Sequence, residues 1–88
     1  MLRVQKLDCE NPQYHKKCEW VNVPLTYPDT LYLQLKNRLV HEVKKTHTAY
    51  RITHWKFGVL TTIKFGHGAD REVWVGDNQE ALKAFALF

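Results

Sequence analysis

The sequence predicts an α+β fold in which two helices pack on an antiparallel sheet of three to five strands, in the order β-β-α-β-β-β-α. Three observations lead to this prediction. Residues 50–76 alternate between apolar and polar side chains and are divided by glycines into three strand-length runs. Residues 26–45 carry leucines at helical spacing. An Asp-Asn-Gln-Glu start precedes an apolar run at residues 81–88.

The length and composition are those of one ordinary globular domain spanning residues 1–88. The chain is 44% hydrophobic and 25% charged, with a net charge of +4. This charge permits binding to nucleic acid or to an acidic protein surface without requiring either. No apolar run approaches the roughly 18 residues of a membrane span, and residues 1–8 carry charges where a signal peptide is apolar. We therefore expect a cytoplasmic protein with no membrane contact.

The two cysteines lie on either side of a polar segment. Cys9, His15 and Cys18 could join a further histidine around a metal ion, but the C-x5-H-x2-C spacing differs from the usual zinc patterns. Two cysteines are too few for a disulfide framework, and a reducing cytosol keeps thiols reduced. We therefore expect two free thiols, no metal and no cofactor.

The first two strands are predicted at residues 1–7 and 19–25, joined by a charged loop at residues 8–18. Apolar and polar residues alternate weakly in the first strand, which we expect at an edge of the sheet. Pro24 favours an edge for the second strand, because proline cannot donate a hydrogen bond to a neighbouring strand. The two strands would pair as a hairpin.

The helix predicted at residues 26–45 has several start signals. Thr26 can cap it, Pro28 needs no hydrogen-bond partner in the first turn, and Asp29 faces the positive end of the helix dipole. Its apolar stripe is broad and is formed by Leu31, Tyr32, Leu35, Leu39 and Val43, widened by Leu33 and Val40. A stripe of this width indicates contact with both the sheet and a second element.

The three later strands, at residues 50–57, 59–65 and 71–75, each divide their side chains between two faces. The predicted core face carries Trp55, Phe57, Thr61, Ile63, Phe65, Val73 and Val75. The other face is cationic and aromatic and carries Tyr50, Ile52, His54, Lys56, Leu60, Thr62, Lys64, Glu72 and Trp74. An antiparallel sheet with one buried face produces this division without any function.

The cationic face suggests nucleic-acid binding. Lysine and histidine can neutralise phosphate, and tryptophan and tyrosine offer planes on which bases stack. The candidate residues are Tyr50, His54, Lys56, Thr62, Lys64 and Trp74. The alternative is a sheet whose second face is covered in part by the first two strands. We expect a non-enzymatic nucleic-acid-binding module.

The C-terminal helix suggests a different function. Asp77 is its predicted cap, and residues 81–88 are apolar on nearly every side, whereas the sheet can cover only one side. Leu87 and Phe88 would then form an interface, giving a homodimer or a docked complex with a host protein. This second hypothesis is a small inhibitor or regulator of the kind that phages and mobile elements encode.

A third hypothesis is RNA cleavage. His67 lies between two glycines, with Asp70 and Arg71 close behind, and histidine with arginine can combine acid–base chemistry with phosphate binding. A hairpin loop with a solvent-facing histidine explains the same residues. The sequence contains no nucleophile elbow, phosphate-binding glycine loop or zinc-protease motif, so we predict no enzymatic activity.

Four runs within residues 50–88 carry a family resemblance. They are Tyr50-Arg51, Val59-Leu60-Thr61-Thr62-Ile63-Lys64, Glu72-Val73-Trp74-Val75-Gly76, and Glu80-Ala81-Leu82 followed by Ala84-Phe85. Together they resemble the APETALA-type DNA-binding domain, in which the outer face of a three-stranded sheet enters the major groove. The resemblance implies reading positions at His54, Lys56, Lys64 and Trp74. Thr62 stands where the family has glutamate, and Glu72 stands where it has arginine.

Two other families share the order of one helix followed by three strands. The double-stranded RNA-binding domain is similar in this order. RelE/ParE-type toxins are similar in the run Tyr50-Arg51-Ile52 and in a loop that contains a histidine, here His67. The toxin resemblance implies RNA cleavage.

Overall fold

The computed structural model describes residues 1–11, 16–66 and 72–87. The strands are β1 (Leu2–Asn11), β2 (Lys16–Tyr27), β3 (Tyr50–His54), β4 (Gly58–Phe65) and β5 (Val73–Asp77). The helices are α1 (Tyr32–Thr46), preceded by a short 3-10 turn at Asp29–Leu31, and α2 (Gln79–Leu87). This order confirms the predicted α+β fold. The predicted positions His15, His67, Asp70, Arg71 and Phe88 lie outside the described residues.

The five strands form one antiparallel sheet in the order β2-β1-β3-β4-β5. β1 was expected at an edge, and that expectation is wrong because β1 pairs with both β2 and β3. β2 does lie at an edge, as Pro24 predicted. Its pairing with β1 is irregular between Arg3 and Gln5, close to that proline in the partner strand. The predicted hairpin of β1 and β2 is present.

The two cysteines form a disulfide, which corrects the prediction of free thiols. The predicted loop is shorter than expected, because β1 and β2 extend into it as paired strands. Their register places Cys9 directly opposite Cys18. The sequence could not reveal this register without the strand bounds. The bond lies near the far end of the hairpin, beyond Lys6, which is the last residue of β1 that pairs with β3.

Both helices pack on one face of the sheet. Leu35, Leu39 and Val43 are the buried residues of α1, and Ala81 is the buried residue of α2. The strand residues buried beneath the helices are Leu2, Val4, Ile52, His54, Leu60, Thr61 and Ile63. The predicted second contact of α1 is with α2, through ring contact of Tyr32 and Phe85 at 5.6 Å between centroids.

The start of α2 and part of the α1 stripe differ from the prediction. The side chain of Asn78, not Asp77, caps α2 by accepting a hydrogen bond from the Ala81 backbone N–H at 3.3 Å. Asp77 instead belongs to β5. Leu33 is 69% exposed, because it lies on the side of α1 that faces away from the sheet.

The prediction of which β3 side chains face the core is wrong, and the two faces of this strand are exchanged. The strand ends at His54, and residues 55–57 form a turn that leads to Gly58, whose φ is +75°. The prediction treated residues 50–57 as one strand, so Trp55 and Phe57 set its phase. In the structure Ile52 and His54 face the helices and are 0% and 2% exposed, whereas Trp55 is 74% exposed.

An irregularity in β4 adds a second correction. Ile52 pairs with Thr61 and Thr53 pairs with Val59, so Leu60 is an extra residue on β4. Both Leu60 and Thr61 are fully buried. Leu60 was expected on the opposite face, and simple alternation fails there because the bulge shifts the phase. Beyond the bulge, Ile63 is buried in the core as predicted.

In the part of the chain that the structure describes, no helix combines the length and apolarity needed to cross a membrane.

Ile52 and Trp55 provide a matched test of this packing. Ile52→Ala should destabilise the domain by about 2–5 kcal/mol, because it leaves a cavity under the helices. Trp55→Ala should change the free energy of unfolding by less than about 0.5 kcal/mol, since Trp55 lies in an exposed turn. Denaturant unfolding of both variants measures these values. A larger loss of unfolding free energy for Trp55→Ala than for Ile52→Ala would support the face assignment predicted from the sequence.

The disulfide should contribute to stability through the loop that it closes. Cys9 and Cys18 are separated by 9 positions, and closing a loop of that size is worth about 2–3 kcal/mol in the chain-entropy description. In urea unfolding, the double variant Cys9→Ser, Cys18→Ser should have a free energy of unfolding that is lower by this amount. The wild-type protein in a thiol reductant should lose the same amount. Equal unfolding midpoints for the oxidised protein and the double variant would contradict the assignment.

Candidate nucleic-acid interface

The face of the sheet opposite the helices is uncovered by any described helix. Its side chains occupy the strand positions that alternate with the buried core residues. We call this surface the open face. Its residues include Arg3, Gln5, Leu7, Cys9, Cys18, Trp20, Asn22, Thr26, Arg51, Thr53, Val59, Thr62, Lys64, Trp74 and Gly76.

A single row of residues crosses the open face from one edge to the other. Gln5 pairs with both Asn22 and Arg51. Arg51 pairs in turn with Thr62, and Thr62 pairs with Gly76. We call these five residues the central row. Each strand of the sheet contributes one residue to it.

The guanidinium of Arg51 is held in place by two contacts. Its Nε donates a hydrogen bond to Gln5 Oε1. The amide nitrogen of Gln5 donates in turn to Asn22 Oδ1 at 3.0 Å. Arg51 Cζ also lies 4.4 Å from the ring centroid of Trp20. Among the described residues, Arg51 makes this hydrogen bond through Nε alone, so its two terminal nitrogens can act as a paired donor for an anion.

A second cation–aromatic pair lies at the opposite edge. Lys64 Nζ is 4.6 Å from the ring centroid of Trp74, its direct partner across β4 and β5. The indole lies against Gly76, where any Cβ would collide with the ring. Trp74 nevertheless remains 48% exposed. The missing side chain at Gly76 therefore lets the indole lie along the sheet surface.

The charged side chains at the described strand positions of the open face are all cationic. Arg3, Arg51 and Lys64 supply three cations, and no acidic residue occupies a described strand position on this face. Cations beside exposed aromatic planes suit a polyanion whose bases can stack. Such groups have the chemistry to contact phosphate and nucleobases, and the described strand positions of this face carry no histidine or carboxylate that could act as an acid–base pair.

The predicted binding residues divide between three places. Thr62, Lys64 and Trp74 lie on the open face, as predicted. Tyr50 and His54 lie on the helix-covered face, because the phase of β3 was inverted. Lys56 lies in the turn after β3, with its Nζ 5.8 Å from the ring centroid of Phe57.

His54 is buried on the helix side of the sheet, where its contacts connect parts of the fold. Its Nδ1 accepts a hydrogen bond from the Lys56 backbone N–H at 3.1 Å, and its Nε2 lies 3.2 Å from Asp29 Oδ2. Its ring stacks on Phe57 with centroids 4.9 Å apart. A hydrogen bond from the Met1 amino group, with a smaller one from His54, lowers the pKa of Asp29 below 3.8. These contacts tie the turn before α1 to the end of β3.

A second polar cluster also lies on the helix side. Thr61 Oγ1 donates to Asp77 Oδ1 at 2.7 Å, and Lys36 Nζ lies 3.1 Å from the same oxygen. These donors, Thr61 first, lower the pKa of Asp77 below 3.8. Burial and the nearby charge of Asp77 raise the pKa of the Tyr32 hydroxyl above 10.0. The cluster connects α1 to the end of β5, away from the open face.

Most residues of the open face were not among the predicted binding residues. They include Arg3, Gln5, Trp20, Asn22 and Arg51. Ile52 is the sequence feature that could have indicated the position of Arg51. A buried β-branched residue in a short strand places both of its neighbours on the other face. Trp20 and Asn22 required the long β1–β2 hairpin, which the polar composition of residues 8–18 concealed.

The described residues contain no group of three histidine, cysteine or acidic side chains that could hold a metal ion. The cysteines of the metal hypothesis are joined to each other, and His15 is not among the described residues. Comparison of the chain with protein families, curated protein sequences and solved structures found no match.

Proposed function

We propose that this protein is a non-enzymatic nucleic-acid-binding module that uses the open face of its sheet. The observation that carries the proposal is the presence of two cation–aromatic pairs, Arg51 with Trp20 and Lys64 with Trp74, on one uncovered face. The absence of acidic side chains from the described strand positions of that face supports the same function.

The phosphate contacts would come from three cations. Arg51 is the strongest candidate, since Gln5 and Trp20 hold its guanidinium with the terminal nitrogens unused. Holding a side chain before binding reduces the entropy that is lost on association. Arg3 and Lys64 would supply two further contacts to the backbone of the nucleic acid.

The base contacts would come mainly from Trp74. Its indole rests on Gly76 and is 48% exposed, so one edge of the sheet offers a fixed aromatic surface. Stacking of one base on such a ring is worth about 1–3 kcal/mol. Asn22 and Thr62 add polar groups in the central row, close enough to the cations to contact a bound strand.

The cytoplasmic location predicted from the sequence stays a prediction. A reducing cytosol would keep Cys9 and Cys18 as thiols, whereas the structure joins them. The open face includes Trp20, which lies two residues after Cys18 on β2. Binding should therefore be measured with the disulfide both closed and reduced.

Docking on a protein is the second candidate function. Leu87, at the end of α2, is 83% exposed, and this observation favours the proposed interface. Light scattering at increasing protein concentration tests the homodimer. Association that persists in Leu87→Ser would exclude this helix end as the interface.

Nucleic-acid binding should weaken with salt in proportion to the number of phosphates contacted. Three contacts predict a slope of log affinity against log salt of about −2 to −3 between about 0.05 and 0.2 M salt. Arg51→Gln should make this slope less negative by about 1, because one phosphate contact is lost. Fluorescence anisotropy with a labelled oligonucleotide measures the slope.

Arg38→Gln is the matched control for that measurement. Arg38 is exposed on α1, on the helix side of the molecule, and its loss changes the net charge by the same amount. Its slope should equal that of the wild-type protein. Equal effects of the two substitutions, or affinity that does not change with salt, would exclude the open face as the phosphate-binding surface.

A further inference from the structure

We infer that the ligand of the open face is single-stranded nucleic acid rather than a duplex. This inference rests on the proposed function and adds the class of nucleic acid. It depends on three features: the width of the sheet, the placement of the two tryptophans and the chemistry of base stacking.

The open face is too wide to enter a DNA groove. β2 and β5 are separated by four strand spacings, and neighbouring strands lie about 4.8 Å apart, so the two edges are about 19 Å apart. The major groove is about 12 Å wide and admits a helix or a two-stranded ribbon. A duplex could therefore not bring its base edges to both tryptophans at once.

The two tryptophans lie on the same side of the central row. Trp20 is two residues before Asn22 on β2, and Trp74 is two residues before Gly76 on β5. The two strands run in the same direction, because each is antiparallel to a strand that runs like β1. Trp20 and Trp74 therefore mark the two ends of a second row, parallel to the first.

Stacking on Trp74, or on the Arg51 guanidinium that covers Trp20, requires an unpaired base. The faces of bases within a duplex are already covered by their neighbours, and exposing one costs a few kcal/mol. A single strand can turn its bases toward the sheet without that cost. The guanidinium of Arg51 covers Trp20 and offers a planar cation on which a base can also stack.

The two rows would contact different parts of one bound strand of nucleic acid. The row with the tryptophans holds bases at its ends, where Lys64 lies beside Trp74. The central row places Arg51, with its unused terminal nitrogens, next to that path. A strand that crosses the sheet from β2 to β5 would meet a cation and an aromatic surface at each end.

The test compares three labelled probes by fluorescence anisotropy at one salt concentration. They are an oligothymidylate of about twelve nucleotides, an oligouridylate of the same length, and a DNA duplex of the same length. The wild-type protein should bind the single strands at least about tenfold more tightly than the duplex, since one stacked base contributes about 1–3 kcal/mol.

Substitution of Trp74 separates stacking from charge. Trp74→Ala should weaken single-strand binding by about tenfold and leave duplex binding nearly unchanged, whereas Trp74→Phe should retain part of the lost affinity. Leu33→Ala is the control, because Leu33 is an exposed apolar residue on the side of α1 that faces away from the sheet. It should leave all three affinities unchanged. Circular dichroism verifies that each variant is folded.

Each outcome has a separate meaning. A preference for either single strand over the duplex, lost in Trp74→Ala, supports the inference. Equal or tighter duplex binding overturns the inference and leaves the proposed function in place. No binding to any of the three probes overturns the proposed function itself.

Discussion

Burial of Ile52 and Ile63 beneath α1 is the interaction on which the rest of the structure depends. Side chains in a strand alternate between two faces, so placing these two in the core also places Arg51, Thr62 and Lys64 on the opposite face. Both helices then lie on the core side, because that face alone offers a continuous apolar surface. The open face is a direct consequence of this packing.

The groups on the open face are held by neighbours rather than by a cavity. Gln5 orients Arg51, and Asn22 in turn accepts a hydrogen bond from Gln5. The missing side chain of Gly76 leaves room for the outer edge of the Trp74 indole. The contacts of Gln5 with Arg51 and Asn22 cross between strands, so this part of the candidate surface depends on the register of the sheet. A slip of one residue in any strand would turn its contribution toward the helices.

Much of the fold could be predicted from local sequence patterns. Glycines, helix start signals and apolar spacing identified seven elements in their observed order, and alternation placed Lys64 and Trp74 on the open face. The face of β3 was predicted wrongly, because nothing local shows that the strand ends at His54 and the phase was set by Trp55 and Phe57 rather than by Ile52. The face predicted for Leu60 was wrong for a related reason. A bulge at Leu60 interrupts the alternation of side chains, and neither glycine nor proline occupies that position.

The residues of the candidate site that were not predicted from the sequence depend on contacts between distant parts of the chain. Arg51 gains its importance from Gln5 and Trp20, which lie 46 and 31 positions earlier, respectively. The disulfide likewise follows from the register of the β1–β2 hairpin, which composition alone did not indicate. Pairing between strands is set by the whole core, and a single sequence does not display it.

The central claim is that the uncovered face of the sheet, and not the helices, contacts nucleic acid. Titration of ¹⁵N-labelled protein with an oligothymidylate, followed by amide chemical shifts, tests it most directly. The account predicts that the largest changes fall on Gln5, Arg51, Thr62 and Lys64 and on the indole N–H of Trp74, while the exposed positions of α1 remain unchanged. Changes centred on α1 or on the Leu87 end of α2 would contradict the account.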